Sequence, residues 1–192
     1  IHNLDLPFIN KINHKELLLQ MLEKDINSPV TTSCGRLFDG VAAICGFRDT
    51  VNYEGQAAIE FEQQISHSTR EYYDCGLTQI DGCWIIDWEI MLRQLLADIE
   101  KKNNYSIMSE KFHRGLAEVF VRLIKKVSEK HKLNKIVLSG GVFMNIFLLK
   151  TLGNKLLSDN FTVYTHSEVP TNDGGIALGQ LLIADNQFKI FP

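Results

Sequence analysis

The 192-residue sequence has only 4 prolines, and no Ser/Gly-rich or repetitive tract interrupts it. Long linkers, solenoid repeats and low-complexity arms are thereby excluded, and a unit that is compact throughout is expected. Positive charge is not in excess: 20 basic against 23 acidic side chains leave a formal net charge of −3. Gripping a phosphate backbone needs a basic face, so nucleic acid is not an expected partner. The four cysteines, Cys34, Cys45, Cys75 and Cys83, include no CxxC pair, and their spacings of 11, 30 and 8 suit neither a zinc ribbon nor a disulfide-dense secreted domain. No basic stretch leads into an apolar signal core, and no apolar run is long enough to span a bilayer. A soluble protein of a reducing cytoplasm, with no membrane partner, is therefore expected. An initiator methionine is missing as well: the chain begins at Ile1, and IHNLDLPFIN reads as packed rather than targeting sequence. A fragment of a longer protein is the expectation.

What is present is ample core material, 45% of the residues being hydrophobic. Leu17, Leu18, Met21 and Leu22 recur at helical spacing between Asn13 and Lys24, with Asn27 and Pro29 as stop signals. Ser33 is placed to cap a helix whose apolar face is Leu37, Phe38, Val41, Ala42 and Ile44, ending at Gly46. Glu54–Ser66 continues the helical section. The period then changes, and Tyr72–Ile80 and Cys83–Ile86 flank an Asp81-Gly82 turn, which predicts a hairpin. Asp87 is expected to cap a helix carrying Trp88, Met91, Leu92, Leu95, Leu96 and Ile99. Ser109 is expected to open a long helix whose apolar side runs from Phe112 through Leu116, Val119 and Leu123 to Val127, with Lys125, Lys126 and Lys130 near its carboxy end. Lys135–Leu138 then reads as a strand, Asn145–Leu157 as a helix, Thr162–Thr165 as a strand and Ile176–Ala184 as a helix. The order predicts an α/β domain in which residues 1–70 are mainly helical and residues 71–192 pack helices against a mixed or parallel sheet.

Each of the last two strands runs into a glycine-bearing loop, and in open α/β sheets ligands gather at the carboxyl ends of strands. In Ser139-Gly140-Gly141-Val142-Phe143-Met144-Asn145, two residues without Cβ allow a phosphate to approach the backbone, and an amide side chain follows. An ordinary tight turn accounts for the two glycines equally well, and no Gly-Lys-Ser/Thr of a P-loop follows. The second loop, Pro170-Thr171-Asn172-Asp173-Gly174-Gly175, adds a carboxylate. Asp173 can cap the final helix, the commoner job of such a residue, or supply one oxygen to a metal, for which a single carboxylate is insufficient. Two such loops on successive strands favour a nucleotide site.

The segments TTSCGRLFDGVAAICG, NYEGQAAIEFE, KFHRGLAEVF, IVLSGGVFMN and PTNDGGIALGQ, in this order over residues from about 31 to 180, resemble the motif series of the HypF family of hydrogenase maturation carbamoyltransferases. The resemblance implies one ribonuclease H-like lobe of the actin-like ATPase and sugar kinase fold, with an additional helical region. It also implies an activity: carbamoyl phosphate and ATP yield a carbamoyl adenylate, and the carbamoyl group passes to the carboxy-terminal cysteine of a HypE-like partner, toward the cyanide ligands of a nickel-iron hydrogenase. By the same resemblance Gly35 and Asp39 match positions near the nucleoside, Asn145 another nucleoside contact, and Gly140 with Gly141 the loop beside the phosphates. Ser139, Asn172 and Gly174 are counted with these nucleotide-binding residues. Asp173 matches a ligand of a divalent metal, zinc or iron, whose role would be that of a Lewis acid.

Several other residues stay between two readings. Arg36 either orients Asp39 or lies on the surface, and Glu54 is either a site residue or an acid opening its helix. His113, at the start of a strong apolar face, reads as structural rather than catalytic. Cys34 reads as a small buried residue rather than a nucleophile, having no base partner in sequence. The chain also departs from the family. It lacks the upstream acylphosphatase, cysteine-paired and YrdC-like parts, and it lacks the HxxxH metal motif, since His2 and His14 lie twelve apart and His113 and His131 eighteen apart. The isolated chain is therefore expected to bind metal weakly and to have negligible activity. A relative acting on tRNA or on a small-molecule hydroxyl, and a non-catalytic nucleotide-binding or docking module, are the competing readings. The YEGQ and GRLFD forms favour HypF.

Overall fold

A computed structural model of the chain describes Ile9, residues 12–66 and residues 69–188. The opening segment read as packed sequence, Ile9 apart, and His2 with it lie outside the described residues. Among the described residues the elements run α1 (Lys15–Glu23), α2 (Cys34–Ile44), α3 (Gln56–Gln63), β1 (Gly76–Ile80), β2 (Cys83–Asp87), α4 (Glu89–Glu100), α5 (Tyr105–His131), β3 (Lys135–Leu138), α6 (Ile146–Ser158), β4 (Thr162–Thr165) and α7 (Ile176–Phe188). Helix and sheet are mixed, as expected, and no described helix is long and apolar enough to cross a membrane. The chain divides into two compact units that are discontinuous in sequence. One comprises residues 1–75 and 88–112, the other residues 76–87 and 113–192.

The first unit is helical because its apolar residues repeat at helical spacing around an aromatic centre. Phe38 of α2, Phe61 of α3 and Phe112 of α5 are fully buried. Phe112 meets Phe38 edge-on with centroids 4.9 Å apart and Phe61 at 6.1 Å. Such pairs add about 0.5–1.5 kcal/mol each beyond the area they bury. Ser33 caps α2 as its position predicts, accepting from the Arg36 amide at 3.4 Å. Two other expected caps are displaced. Asp87 pairs with Gly76 as the last residue of β2, so Trp88 takes the position before α4 and the helix starts without a side-chain cap. Asn104 opens α5 by accepting from the Ile107 amide at 2.9 Å, and Ser109, one turn inside, is buried and donates its hydroxyl to the Phe61 carbonyl. The ladder claims the first residue and the core claims the second.

A buried polar cluster also sits in this unit. Asp98 accepts from the Tyr73 hydroxyl at 2.7 Å and from Lys111 at 2.8 Å, while Lys111 reaches Glu71 at 3.2 Å. Burial alone would raise the Asp98 carboxyl, but the hydrogen bonds from Lys111 and Tyr73 hold it below the usual carboxylate range. Burial would lower the Lys111 ammonium, and its two carboxylate partners hold it above its ordinary value. A depressed Asp98 contributes stability that is complete above its unfolded pKa of about 3.9 and is lost as pH falls through its lower folded value. A raised Lys111 contributes stability that is complete below about 10.4 and is lost as pH rises through its higher folded value. Urea midpoints should therefore fall below about pH 4, and the Asp98→Asn variant should show a flatter acid limb. An unchanged acid limb in that variant would remove Asp98 as the cause.

The second unit contains the sheet elements. β1 and β2 form an antiparallel hairpin, closed by Asp81 at φ 49° and Gly82 at φ 81°, the paired positive values that a tight two-residue turn requires. β3 and β4 pair in parallel, Leu138 opposite Thr165, and α6 makes the crossover between them. Leu148, Leu152 and Leu156 of α6 are buried, as are Leu116, Ala117 and Val119 of α5. α7 is apolar around its circumference and, like α1, has no buried residue, with Leu178, Leu181, Leu182 and Ile183 all exposed.

Candidate functional site

The parallel pairing puts the carboxyl ends of β3 and β4 side by side, so the loops leaving them are neighbours. They are clasped to each other. The Gly140 amide donates to the Thr171 carbonyl at 3.1 Å, and the Thr171 hydroxyl donates to the Gly140 carbonyl at 3.1 Å. The residues just beyond the two strand ends also meet, Ser139 Oγ lying 2.8 Å from His166 Nε2. Thr171 belongs to the second glycine-bearing loop, and His166 lies outside both loops. Neither residue type signals a role by itself, because only the strand pairing brings them opposite Gly140 and Ser139.

Backbone geometry explains the glycines. Gly140 adopts φ 106° and ψ 159°, a region essentially closed to residues with a side chain. Gly175 has no room for one, since a Cβ there would stand 3.0 Å from both the Pro170 carbonyl and a Val169 methyl. A Cβ on Gly141 would meet the Asn172 Cβ at 3.9 Å, ordinary contact, and one on Gly140 would meet nothing within 4 Å. The space beside Gly140 is thus open, and that suits an anionic ligand approaching the main chain.

Asn145 follows a short 3-10 turn, Gly141–Met144, and caps α6 by accepting from the Leu148 amide at 2.8 Å. Its amide nitrogen lies 2.8 Å from Nε2 of the fully buried His113. The structural reading of His113 agrees with that burial, yet its partner is one of the expected nucleoside contacts. Asn172 accepts from the Gly174 amide at 3.1 Å and so starts the 3-10 turn Asp173–Gly175 ahead of α7. The side-chain cap ahead of α7 is thus supplied by Asn172, on the turn that leads into the helix, rather than by Asp173. Asp173 itself is exposed. Among the described residues no three His, Cys, Asp or Glu side chains group to hold a metal ion, so Asp173 does not make a metal site with them.

Gly35 and Asp39 lie in α2, in the first unit. Gly35 is in the opening turn, where a Cβ would sit 3.6 Å from Ser33 Oγ. Asp39 is held by Arg36 at 3.0 Å, so Arg36 orients this carboxylate while remaining exposed itself. Cys34 is half-buried rather than buried as expected, and that burial still pushes its thiol up to about 11, which leaves little thiolate near neutrality. Glu54 precedes α3, whose first residue is Gln56, and is exposed. The polar work of that motif falls to Gln56, which accepts from the Asn52 amide at 2.7 Å and donates to Glu60 at 2.7 Å, Glu60 in turn pairing with Arg48. An isolated Gln gives no such signal in sequence.

Residues 3–180 match the family described as "Carbamoyltransferase, Kae1-like Domain, second subdomain". The chain is 34% identical to the carbamoyltransferase HypF of Synechocystis sp., over 94% of this chain and 24% of that protein. It is 36% identical to the carbamoyltransferase HypF of Rhodobacter capsulatus, over 88% of this chain and 22% of that protein. Among solved structures it resembles full-length HypF in a phosphate- and nucleotide-bound form, with a TM-score of 0.86 and 38% identity over 94% of this chain and 29% of that one. The chain thus spans about a quarter of the length of these relatives.

Proposed function

Since the chain belongs to the HypF carbamoyltransferase family as the second subdomain of its Kae1-like domain, we propose that it forms one wall of a site where a nucleotide-activated carbamoyl group is transferred. The clasp between the Gly140 and Thr171 loops carries this reading, because it holds two glycine-bearing loops together at the ends of adjacent parallel strands. In the proposal the lobe is of the actin-like type and works in the cytoplasm. The loop of Ser139, Gly140 and Gly141, with Asn172 and Gly174 opposite, takes the phosphates, while Asn145, Gly35 and Asp39 take the nucleoside. Asp173 gives one oxygen to a divalent cation, zinc or iron, whose remaining ligands come from the first subdomain. When bound, that cation supplies Lewis acidity.

The reaction is carbamoyl transfer from carbamoyl adenylate to the carboxy-terminal cysteine of a HypE-like partner. The thiol sulfur bonds to the carbamoyl carbon, the bond from that carbon to the adenylate oxygen breaks, AMP leaves, and the thiol proton passes to solvent. The S-carbamoyl group is then the precursor of hydrogenase cyanide. The exposed apolar α7 supports a requirement for the first subdomain, since exposed apolar surface of this extent marks an interaction face.

The test supplies ATP, carbamoyl phosphate and a cysteine-ended HypE tail peptide to the full-length protein carrying this chain, and to the 192-residue chain alone. Carbamoylated peptide is expected from the first and negligible amounts from the second. Ordinary turnover by the chain alone would overturn the shared-site reading. Transfer to tRNA or to a small-molecule hydroxyl in place of the peptide would assign a different acceptor.

A further inference from the structure

We infer that His113 is a positioning residue for the nucleotide site, acting through the amide of Asn145. The inference rests on the nucleotide reading proposed above and adds a residue that the reading does not contain. A primary amide has two N–H donors and two acceptor lone pairs. On Asn145 one lone pair is committed to the Leu148 amide at the start of α6. That commitment fixes which end of the amide is oxygen, so the nitrogen faces His113 and Nε2 of the ring accepts. The ring therefore carries its proton on Nδ1. Asn145 keeps one N–H and one lone pair, a donor and an acceptor of the kind that a ribose hydroxyl or the edge of a purine base takes up.

His113 is well placed to hold that amide still. It is fully buried, and Asn145 is nearly so at 8% exposed. Phe147 packs edge-on against the His113 ring with centroids 5.8 Å apart and planes at 84°, and the Arg114 guanidinium lies 5.2 Å from the Phe147 ring. The Asn145 main chain is fixed independently, its N–H donating to the Val142 carbonyl and its carbonyl accepting from the Leu149 amide. With the backbone pinned and the oxygen claimed by the cap, the hydrogen bond to His113 sets the remaining freedom, the tilt of the amide plane. Losing it leaves the cap intact and the plane free to swing.

ATP binding to the full-length protein carrying this chain, measured by calorimetry, provides the test. Asn145→Ala should weaken ATP binding at least tenfold; unchanged binding there sinks the nucleotide reading itself. Given that loss, His113→Leu should weaken binding roughly five- to tenfold, the worth of one net hydrogen bond. His113→Gln, whose amide oxygen can accept from Asn145, should recover most of it, and adding His113→Leu to Asn145→Ala should weaken binding no further. Wild-type affinity in His113→Leu, full additivity with Asn145→Ala, or a Gln variant as weak as the Leu variant would each overturn the proposal. Should His113→Leu fail to fold, nitrogen NMR of the unmutated ring decides: an Nδ1-protonated tautomer supports the arrangement and an Nε2-protonated one refutes it.

Discussion

Replacing Asp173 by Asn is expected to lower carbamoyl transfer by the full-length protein at least about a hundredfold, the scale of losing one charged contributor to transition-state stabilisation. The melting temperature should hardly change, because Asp173 is exposed and the bond that starts the turn before α7 comes from Asn172. The sign of the effect on nucleotide affinity is informative in its own right. A carboxylate beside phosphates repels them unless a cation lies between. If Asp173 serves as a cation ligand, Asn should weaken nucleotide binding in the presence of the metal. If it is only a surface charge, Asn should strengthen binding and leave turnover intact, and that result would remove Asp173 from the site. Asn172→Ala is the matching control, expected to cost about 1 kcal/mol of stability through the lost cap.

Much of the second unit was legible because its signals are local. A four-residue apolar strand, a Gly-Gly turn and an amide at a helix start are all written in consecutive residues, and β3, the Gly140 loop and the Asn145 cap follow from them. The hairpin turn at Asp81-Gly82 was legible for the same reason. The caps at Asp87 and Ser109 were misplaced because each residue has a stronger tertiary demand than its local preference. Asp87 is taken up by its register with Gly76, and Ser109 by the carbonyl of Phe61 in α3, 48 residues away in sequence. α1 shows the converse. Its apolar spacing produced the helix, but Leu17, Leu18 and Leu22 stay exposed, so amphipathic spacing did not by itself predict burial.

For the candidate site, the motif residues were legible and their partners were not. Gly140 and Asn145 stand out in a string of letters, whereas Thr171, His166 and His113 acquire meaning only through the parallel pairing of β3 with β4 and the packing of α5 beside α6. Separations of 31, 27 and 32 residues connect these pairs. No local period spans such distances. The Gln56–Glu60–Arg48 chain is similar, since a glutamine becomes informative only once it is seen buried between two partners.

Phe112 and His113 are consecutive on α5, and they should separate stability from binding. Phe112→Ala is expected to cost about 3–5 kcal/mol, since it deletes a fully buried ring that packs on both Phe38 and Phe61 and leaves a cavity the helices cannot close. In a chain of this size that corresponds to a fall of roughly 10 °C in melting temperature. Nucleotide affinity of the folded fraction should stay near that of the unmutated protein, because the Phe112 ring packs in the aromatic centre with Phe38 and Phe61. His113→Leu should do the opposite, lowering affinity by more than its effect on stability explains. Should Phe112→Ala leave the melting temperature within a degree or two, the aromatic centre is not what holds α2, α3 and α5 together. Should it lower the affinity of the folded fraction as much as His113→Leu does, the loss at His113 reflects general loosening of α5 rather than the orientation of the Asn145 amide.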